Sequence, residues 1–198
     1  MATETSQAPR QSVVADQEQR AFRALLDAMA RPGTVHALPD ARPSDGAWGS
    51  ALVVLQCLLD HEVTFAVEAH DRSVHEQILR RTGARSAAVA AADYVLADPA
   101  HALDAIELAS EGYFEEPERS ATVVVRVDAI GSGALRAVLS GPGIETVQPL
   151  ALDGLDAAAL HALIDRNAVY PTGIDTVLVD PHGRVACLPR STRIELED

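Results

Sequence analysis

Helix-like and strand-like segments alternate along the first two thirds of the chain, and few folds accommodate that pattern. The first helix is expected to begin near Asp16, which has Gln19 three residues on, as in a capping box. Phe22, Leu25, Leu26 and Met29 are then predicted to lie on one face, and the Pro-Gly pair at 32–33 ends the helix. Four further helices are predicted, through residues 52–59, from Ser73 to Gly83, over residues 101–110 and over residues 156–167.

Short apolar runs between these helices predict the strands. They lie at residues 34–38, 64–67, 93–97 and 121–127, and the last run is the clearest. Residues 137–139 are a candidate partner for that clearest strand. Two more runs, 176–179 and 185–188, flank a Pro-His-Gly turn and are interpreted as a hairpin.

The alternation of helices and strands, followed by antiparallel strand pairing near the C-terminus, predicts an α/β fold. The expected fold has three layers, α/β/α, around a mixed β-sheet. Residues 1–14 are polar and are expected to form a mobile N-terminal tail, and residues 15–198 to form a single domain. A domain of this length buries roughly 70% of the surface that its unfolded chain exposes, which suffices for a substantial core. Because aromatic residues make up only 4% of the chain, that core must consist mainly of Leu, Val, Ile and Ala.

The chain contains no lysine, since all 16 of its basic residues are arginine. A pyridoxal phosphate enzyme binds its cofactor through a lysine, and a Walker A loop also requires one. Both classes are therefore excluded, and no cofactor is predicted. The Gly-Pro-Gly-Ile sequence at 141–144 is interpreted as a tight turn between strands.

The net charge of −13 argues against general binding to nucleic acid and against docking on anionic lipid. No apolar run approaches the roughly 18 residues that a membrane span requires, and the N-terminus lacks the apolar segment of a secretory signal. We therefore expect a cytoplasmic protein that binds neither nucleic acid nor membranes. Cys57 and Cys187 lie in apolar runs and are expected to be buried and unpaired, as in a reducing compartment.

No self-sufficient catalytic motif is evident. His61-Glu62 begins like a zincin motif, but Phe65 stands where the second histidine belongs. His70, Asp71 and His75 offer one conceivable metal site, but solvated residues around a helix start are the simpler interpretation, so no metal is predicted. The acidic loop at 111–118 is interpreted as a solvated loop, with a docking patch for a basic partner as the alternative.

One segment near the C-terminus carries polar groups suited to an anion. Its residues are Arg190, Ser191, Thr192 and Arg193. Guanidinium forks and hydroxyls together bind phosphate or carboxylate well. The alternative is an edge segment whose arginines pair with the excess acid of this chain or of a neighbouring subunit.

Several short blocks of the sequence form an ordered set along the chain. The N-terminal and central blocks are residues 22–33 (FRALLDAMARPG), 58–62 (LLDHE), 92–94 (ADY), 117–122 and 140–144. The C-terminal blocks are Asn167, residues 170–175 (YPTGID) and residues 188–193 (LPRSTR). The ordered set spans about residues 20 to 194 and resembles the PhnH family of the bacterial carbon–phosphorus lyase complex. One departure is Ser191, where the family pattern has threonine.

The resemblance implies a role in the use of alkylphosphonates as a phosphorus source. Family members, with PhnG, PhnI and, for the first step, PhnL, support formation of α-D-ribose 1-methylphosphonate 5-triphosphate from ATP and methylphosphonate, with release of adenine. Radical cleavage of the C–P bond belongs to PhnJ and its iron–sulfur cluster. Two cysteines are too few for this chain to hold such a cluster alone.

The resemblance also implies a fold like that of pyridoxal phosphate-dependent transferases without the cofactor, a homodimer, and assembly with PhnG, PhnI and PhnJ, with PhnL and PhnK more peripheral. It transfers no catalytic residue to this sequence. Asn167, Arg190, Ser191, Thr192 and Arg193 are therefore kept as candidates for anion binding or for a subunit interface.

Three hypotheses follow. The first is an accessory subunit of the phosphonate-activating complex that is not active alone. The second is an independent enzyme that binds a small anion or nucleotide through Arg190 and Arg193. The third is a purely structural interaction module, which the acidic excess supports only weakly.

Overall fold

A computed structural model describes residues 10–39, 41, 46–71 and 73–197. Within these residues the α-helices are α1 Arg10–Ala30, α2 Gly49–Leu58, α3 Ser73–Thr82, α4 Ala102–Leu108 and α5 Ala157–Arg166. The strands are β1 His36–Ala37, β2 Thr64–Glu68, β3 Arg85–Ser86, β4 Tyr94–Ala97, β5 Thr122–Arg126, β6 Ala129–Ser140, β7 Gln148–Asp153, β8 Asp175–Val179, β9 Arg184–Leu188 and β10 Arg193–Leu196. Helices and strands therefore alternate as the sequence predicted.

The larger of two sheets has seven strands in the order β1-β9-β8-β5-β4-β2-β3. Strands β3, β2, β4, β5 and β8 run parallel to one another, whereas β9 is antiparallel to both β8 and β1. The predicted mixed sheet and the hairpin of β8 with β9 are confirmed. Strand β1 covers only two of the five residues predicted for it.

The central strands are buried on both faces, and their alternating side chains divide the core into two clusters. Val123 and Val125 of β5 pack with α4, α5 and the smaller sheet, whereas Val124 packs with α1, α2 and α3. The period-two alternation of a strand accounts for this division. The large sheet therefore lies between two layers, and the three-layer arrangement agrees with the prediction. The finer likeness to pyridoxal phosphate-dependent transferases stays a prediction.

Helix α1 begins at Arg10, six residues before its predicted start at Asp16. Residues 10–14 are therefore helical, and residues 1–9 of the predicted tail lie outside the described residues. The buried stripe of α1 is Ala21, Leu25 and Ala28, while Phe22 and Leu26 remain exposed, contrary to the predicted face. Alanines at this spacing let the helix pack closely, so the larger neighbours lie outside the contact.

Strand β6 does not pair with β5, and that prediction is wrong. β5 already has β4 and β8 as neighbours, so it has no free edge to offer. β6 instead pairs with β7 and β10 in a separate three-stranded antiparallel sheet. The pairing shifts register between Ile130 and Leu135, where Gly133 lets the two backbones approach: a Cβ there would lie 2.0 Å from the carbonyl oxygen of Leu152.

The hairpin between β8 and β9 is anchored by Asp180, whose side chain is fully buried. Its carboxylate accepts hydrogen bonds from the backbone N–H groups of His182 and Arg184 and from the Arg184 guanidinium. A further hydrogen bond, from the N–H of Ile130 at 3.2 Å, ties the hairpin to the start of β6. Asp180 thus links the two sheets at one end.

Among the described residues, no helix combines the length and apolar character that crossing a bilayer would need.

Candidate functional site

The five candidate residues from the sequence line one open groove of about 1040 Å³. Asn167 comes from the end of α5, and the other four, Arg190 to Arg193, come from the connection between β9 and β10. The rest of the lining comes from the turn at 140–142, from α5 and the residues after it, and from the start of β10: Ser140, Gly141, Pro142, Leu163, Ile164, Ala168, Tyr170, Ile194 and Glu195. The structure therefore brings together two blocks that are separated in sequence.

The connection between β9 and β10 carries the chain from the large sheet to the small one. It turns at Pro189, whose carbonyl accepts the N–H of Thr192 at 2.8 Å. After the turn, Arg193 pairs with Ser140 of β6. The groove therefore lies where the two sheets meet.

Arg190 has its polar atoms engaged inside the protein. Its Nη2 lies 2.7 Å from Oδ2 of Asp175, and its Nη1 donates to the carbonyl of Pro117 at 2.7 Å. Its backbone N–H also donates to Asp175, at 2.8 Å. Only 19% of the Arg190 side chain is exposed. The alternative that this arginine pairs with an acid of its own chain is therefore confirmed.

Asn167 holds the turn before β8. Its amide oxygen accepts the N–H of Ile174 at 2.8 Å, and its amide nitrogen donates to the carbonyl of Ile174 at 3.2 Å. Gly173 fits beneath this clamp with φ of +131°, and a Cβ there would lie 2.5 Å from the Asn167 oxygen. Gly173 and Ile174 of the Thr-Gly-Ile-Asp sequence therefore stabilise the conformation of this turn.

The remaining candidates differ in how they are partnered. Arg193 is exposed, and its side chain makes no ion pair or hydrogen bond within the part of the chain that the structure describes. Thr192 is buried, and its hydroxyl has no hydrogen-bond partner among the same residues. Ser191 is half-buried between them. The groove therefore presents one available guanidinium.

The groove residues do not by themselves form a catalytic site. A nucleophile needs a base within hydrogen-bond reach and a group that orients the base. Arg190 and Asn167 are committed to loop structure, and within the described residues the groove brings no acid–base pair to Arg193. The chemistry that the groove supports is contact with an anion or with another protein.

Beside the groove, four large apolar side chains are exposed on two loops. Together they form what we term the loop surface: Tyr113, Phe114, Val169 and Tyr170, each at least 57% exposed. The loops are joined because the N–H of Gly173 donates to the carbonyl of Glu111 at 2.9 Å. Clustered exposed apolar residues are typical of surfaces that bind other proteins.

The acidic loop at 111–118 is less free than its composition suggests. Glu111 pairs with Arg166 at 3.6 Å, and Glu116 pairs with Arg119 at 3.2 Å. Arg166 also donates to the carbonyl of Ala109, which fastens the end of α5 to the end of α4. Part of the negative charge thus stabilises the loop itself.

The structure does not bring His70, Asp71 and His75 together. Asp71 accepts hydrogen bonds from the indole of Trp48 at 3.2 Å and from the N–H of Ser73 at 2.9 Å. The Asp71 carboxylate therefore accepts the first N–H of α3, and these hydrogen bonds, with Ser73 first, lower the pKa of the Asp71 carboxyl. His75 contacts Ser86 instead, at 2.9 Å.

His70 lies against Asp98 and His101, which sequence reasoning missed. His70 is some thirty positions away from Asp98 and His101, so spacing gave no signal. The available signal was that His70 follows β2 and Asp98 follows β4, because the ends of neighbouring parallel strands meet at one edge.

Both cysteines are free thiols, as predicted. Cys187 is fully buried in β9, whereas Cys57 is only half-buried. Burial, aided by the charge of Glu18, raises the pKa of Cys57 from 9.0 to about 11. Burial, aided by Asp175, raises the pKa of Cys187 further. Neither thiol has the lowered pKa of a nucleophile.

Comparison with known proteins gives consistent results over nearly the whole length of the chain. A family model described as "Bacterial phosphonate metabolism protein (PhnH)" matches residues 10–195. A protein of Stutzerimonas stutzeri named "Putative C-P lyase subunit protein HtxG" is 42% identical over 192 residues, covering 96% of this chain and 89% of the relative. A protein of Rhizobium meliloti (strain 1021) named "Alpha-D-ribose 1-methylphosphonate 5-triphosphate synthase subunit PhnH" is 32% identical over 183 residues, with 90% of each chain covered.

Proposed function

The chain belongs to the PhnH family of bacterial phosphonate metabolism proteins, and from that premise we propose that it is a subunit of a carbon–phosphorus lyase complex in organic phosphonate catabolism. In this role it supports formation of α-D-ribose 1-methylphosphonate 5-triphosphate from ATP and methylphosphonate. In that reaction, the bond between adenine and the ribose carbon is replaced by a bond to a phosphonate oxygen, and adenine leaves.

The observation that carries this proposal is the extent of the match. It covers helices, both sheets and the groove, and it includes two relatives whose names place them in such a complex. A likeness confined to one domain or to one motif would support the fold alone.

We assign the chain an accessory role within the reaction. The support is geometric: Arg190 is paired with Asp175, and Asn167 is hydrogen-bonded to Ile174, so both stabilise loops. The chain is then inactive alone, and the reacting groups come from its partners. Pyridoxal phosphate has no place in this role, since no lysine can hold it.

The proposed partners are PhnG, PhnI and PhnJ, with PhnL and PhnK more peripheral, together with a second copy of this chain. All of these interactions are assigned to the cytoplasm. The support is the loop surface, whose exposed aromatic side chains suit a protein interface. Arg193, exposed at the rim of the groove, offers a charge for an acidic partner.

Co-purification tests the proposal. The chain is co-expressed with tagged PhnI and with PhnG from the same organism, and the tagged protein is captured. We expect the chain to elute with both partners and to be absent when the tagged protein is omitted. Recovery of the chain only in the flow-through, while PhnI and PhnG associate, would contradict the proposal.

A second candidate is an independent enzyme that binds a small anion or nucleotide through the groove. The observation in its favour is Arg193, which has no ion pair among the described residues and lies beside the hydroxyls of Ser191 and Thr192. Arg193→Ala is the suitable variant, because Arg190 is needed for structure. ATP binding by the purified chain that falls at least tenfold in this variant would favour the second candidate, and equal or absent binding in both proteins would exclude it.

A further inference from the structure

The crevice between β2 and β4 lies where the chain reverses its direction of travel across the large sheet. After β2 the chain enters α3, whose Val74 and Ile78 pack on the face shared with α1 and α2. After β4 it enters α4, whose Ala105 and Ile106 pack on the opposite face. The loops therefore diverge at the carboxyl ends of two adjacent parallel strands, where open α/β sheets bind their ligands.

Three side chains with metal-ligand chemistry converge in this crevice. His70 follows β2, Asp98 follows β4, and His101 lies at the start of α4. Their potential ligand atoms all lie within 4.8 Å of one another. The imidazole rings of His70 and His101 have centroids only 4.4 Å apart.

Asp98 occupies the centre of the cluster. Its Oδ1 lies 2.7 Å from Nδ1 of His101, and its Oδ2 lies 3.6 Å from Nδ1 of His70. Backbone N–H groups of the same two histidines also donate to it, at 3.1 and 3.2 Å. The carboxylate is 11% exposed and is therefore held in place, whereas His70 is 79% exposed and leaves the crevice open to solvent.

We propose that His70, Asp98 and His101 form a binding site for a divalent transition-metal ion, with zinc the best match. Two imidazole nitrogens and one carboxylate oxygen are ligands that this class of ion prefers. Ligand atoms arranged tetrahedrally about zinc at roughly 2.1 Å lie about 3.4 Å apart. The distances of 2.7 and 3.6 Å bracket that separation, so small side-chain movements suffice.

The ion replaces the direct contact between Nδ1 of His101 and Oδ1 of Asp98, and the single N–H of the neutral His101 ring then lies on Nε2. Three protein ligands leave one position facing solvent, past the exposed ring of His70. That position accepts water or an oxygen of an anion, as in zinc sites with an open coordination position. The site is separate from the groove and does not rest on the proposed function.

Zinc titration of the full chain tests the site directly. Untagged protein, freed of metal with a chelator, is titrated with Zn²⁺ by calorimetry and with Co²⁺ by visible absorption. We expect one ion per chain, and at least a tenfold loss of affinity in His70→Ala and in His101→Ala. His161→Ala, an exposed histidine on α5, is the matched control and should bind as the unmodified protein does.

Absence of binding, or equal affinity in all three histidine variants, would overturn the site. If circular dichroism shows that a variant is unfolded, the site is tested instead by chemical modification of the unmodified protein. Zn²⁺ should then protect His70 and His101, but not His161, from modification by diethyl pyrocarbonate. Equal modification of the three histidines with and without Zn²⁺ also overturns the site.

Discussion

The carboxylate of Asp175 accepts both the backbone N–H and the guanidinium of Arg190, at 2.8 and 2.7 Å. Asp175 begins β8, and Arg190 lies two residues beyond β9. Because Arg190 also donates to the carbonyl of Pro117, the pair connects the hairpin with the loop before β5. The pair therefore stabilises the wall of the groove.

Removing one partner of this pair should destabilise the fold. In Arg190→Ala, the partly buried carboxylate of Asp175 loses its charged partner and the Pro117 carbonyl loses its donor. We expect the free energy of unfolding to fall by about 2 kcal/mol, between the values for exposed and buried ion pairs. Urea denaturation followed by circular dichroism measures it.

Arg193→Ala is the matched control for that experiment, since Arg193 is exposed and three residues away. It should change the free energy of unfolding by less than about 0.5 kcal/mol. Equal losses in the two arginine variants would show that the pair with Asp175 contributes nothing particular.

Gly173→Ala should cost more stability than Gly83→Ala. Both glycines have positive φ, at +131° and +71°, so both substitutions carry backbone strain of about 1 kcal/mol or more. At Gly83 an added Cβ meets no atom within 4 Å, whereas at Gly173 it lies 2.5 Å from the Asn167 oxygen. We expect an extra cost of about 1–2 kcal/mol at Gly173 as the Asn167 clamp is displaced. Equal unfolding midpoints of the two variants in urea would argue against the clamp.

The loop surface should be needed for assembly but not for folding. Phe114→Ser and Tyr170→Ser each remove an exposed ring, so their unfolding midpoints should stay close to that of the unmodified chain. Their recovery with tagged PhnI and PhnG should fall severalfold, because aromatic anchors dominate interfaces. Val147→Ser, at a side chain that is 59% exposed just before β7, is the control and should be recovered normally. Full recovery of both ring variants would remove the loop surface from the proposal.

The cysteines should react slowly in the folded protein, with a defined pH dependence. Unfolded thiols have a pKa near 9.0, and the pKa of folded Cys57 is about 11, so at pH 9 its thiolate fraction is lower by roughly 50-fold. Alkylation of Cys57 should therefore accelerate as the pH rises from 9 towards 11, and that of Cys187 should remain slower still. Mass spectrometry after timed iodoacetamide exposure, with and without urea, measures both rates. Equal rates in folded and unfolded protein would contradict the assigned burial.

The apolar periodicity of the sequence predicted the helices and the large sheet, because each helix packs on that sheet and its strands are buried by the helices. The alternating side chains of β5 and the capping of α5 by Asp156 are local features that sequence displays. The partner of β6 was not predictable in this way, because pairing depends on which edges remain free after the large sheet has formed. On the predicted face of α1, Leu25 is buried but Phe22 and Leu26 are not, because Ala21 and Ala28 rather than large residues complete the contact.

The site was partly predictable for a similar reason. Asn167 and the segment containing Arg190 were found as sequence blocks, and the structure places them on one groove. Their chemical roles depend on distant partners, Asp175 for the arginine and Ile174 for the asparagine, which composition does not identify. Asp98 escaped notice because a lone aspartate after a strand is common, and only the topology brings it to His70.

The position of β9 in the large sheet has a consequence for synthesis. β1 pairs with no described strand except β9, so His36 must wait for Val185 before its backbone hydrogen bonds can form. β6 likewise gains its second neighbour only when β10 is made. During translation the parallel strands can fold as each emerges, but β8 lacks its second neighbour until β9 is complete at Leu188, and β6 lacks its second neighbour until β10 is complete at Leu196. The nascent chain is therefore exposed to edge pairing with other chains for most of its synthesis, and chaperone contacts should persist until that point.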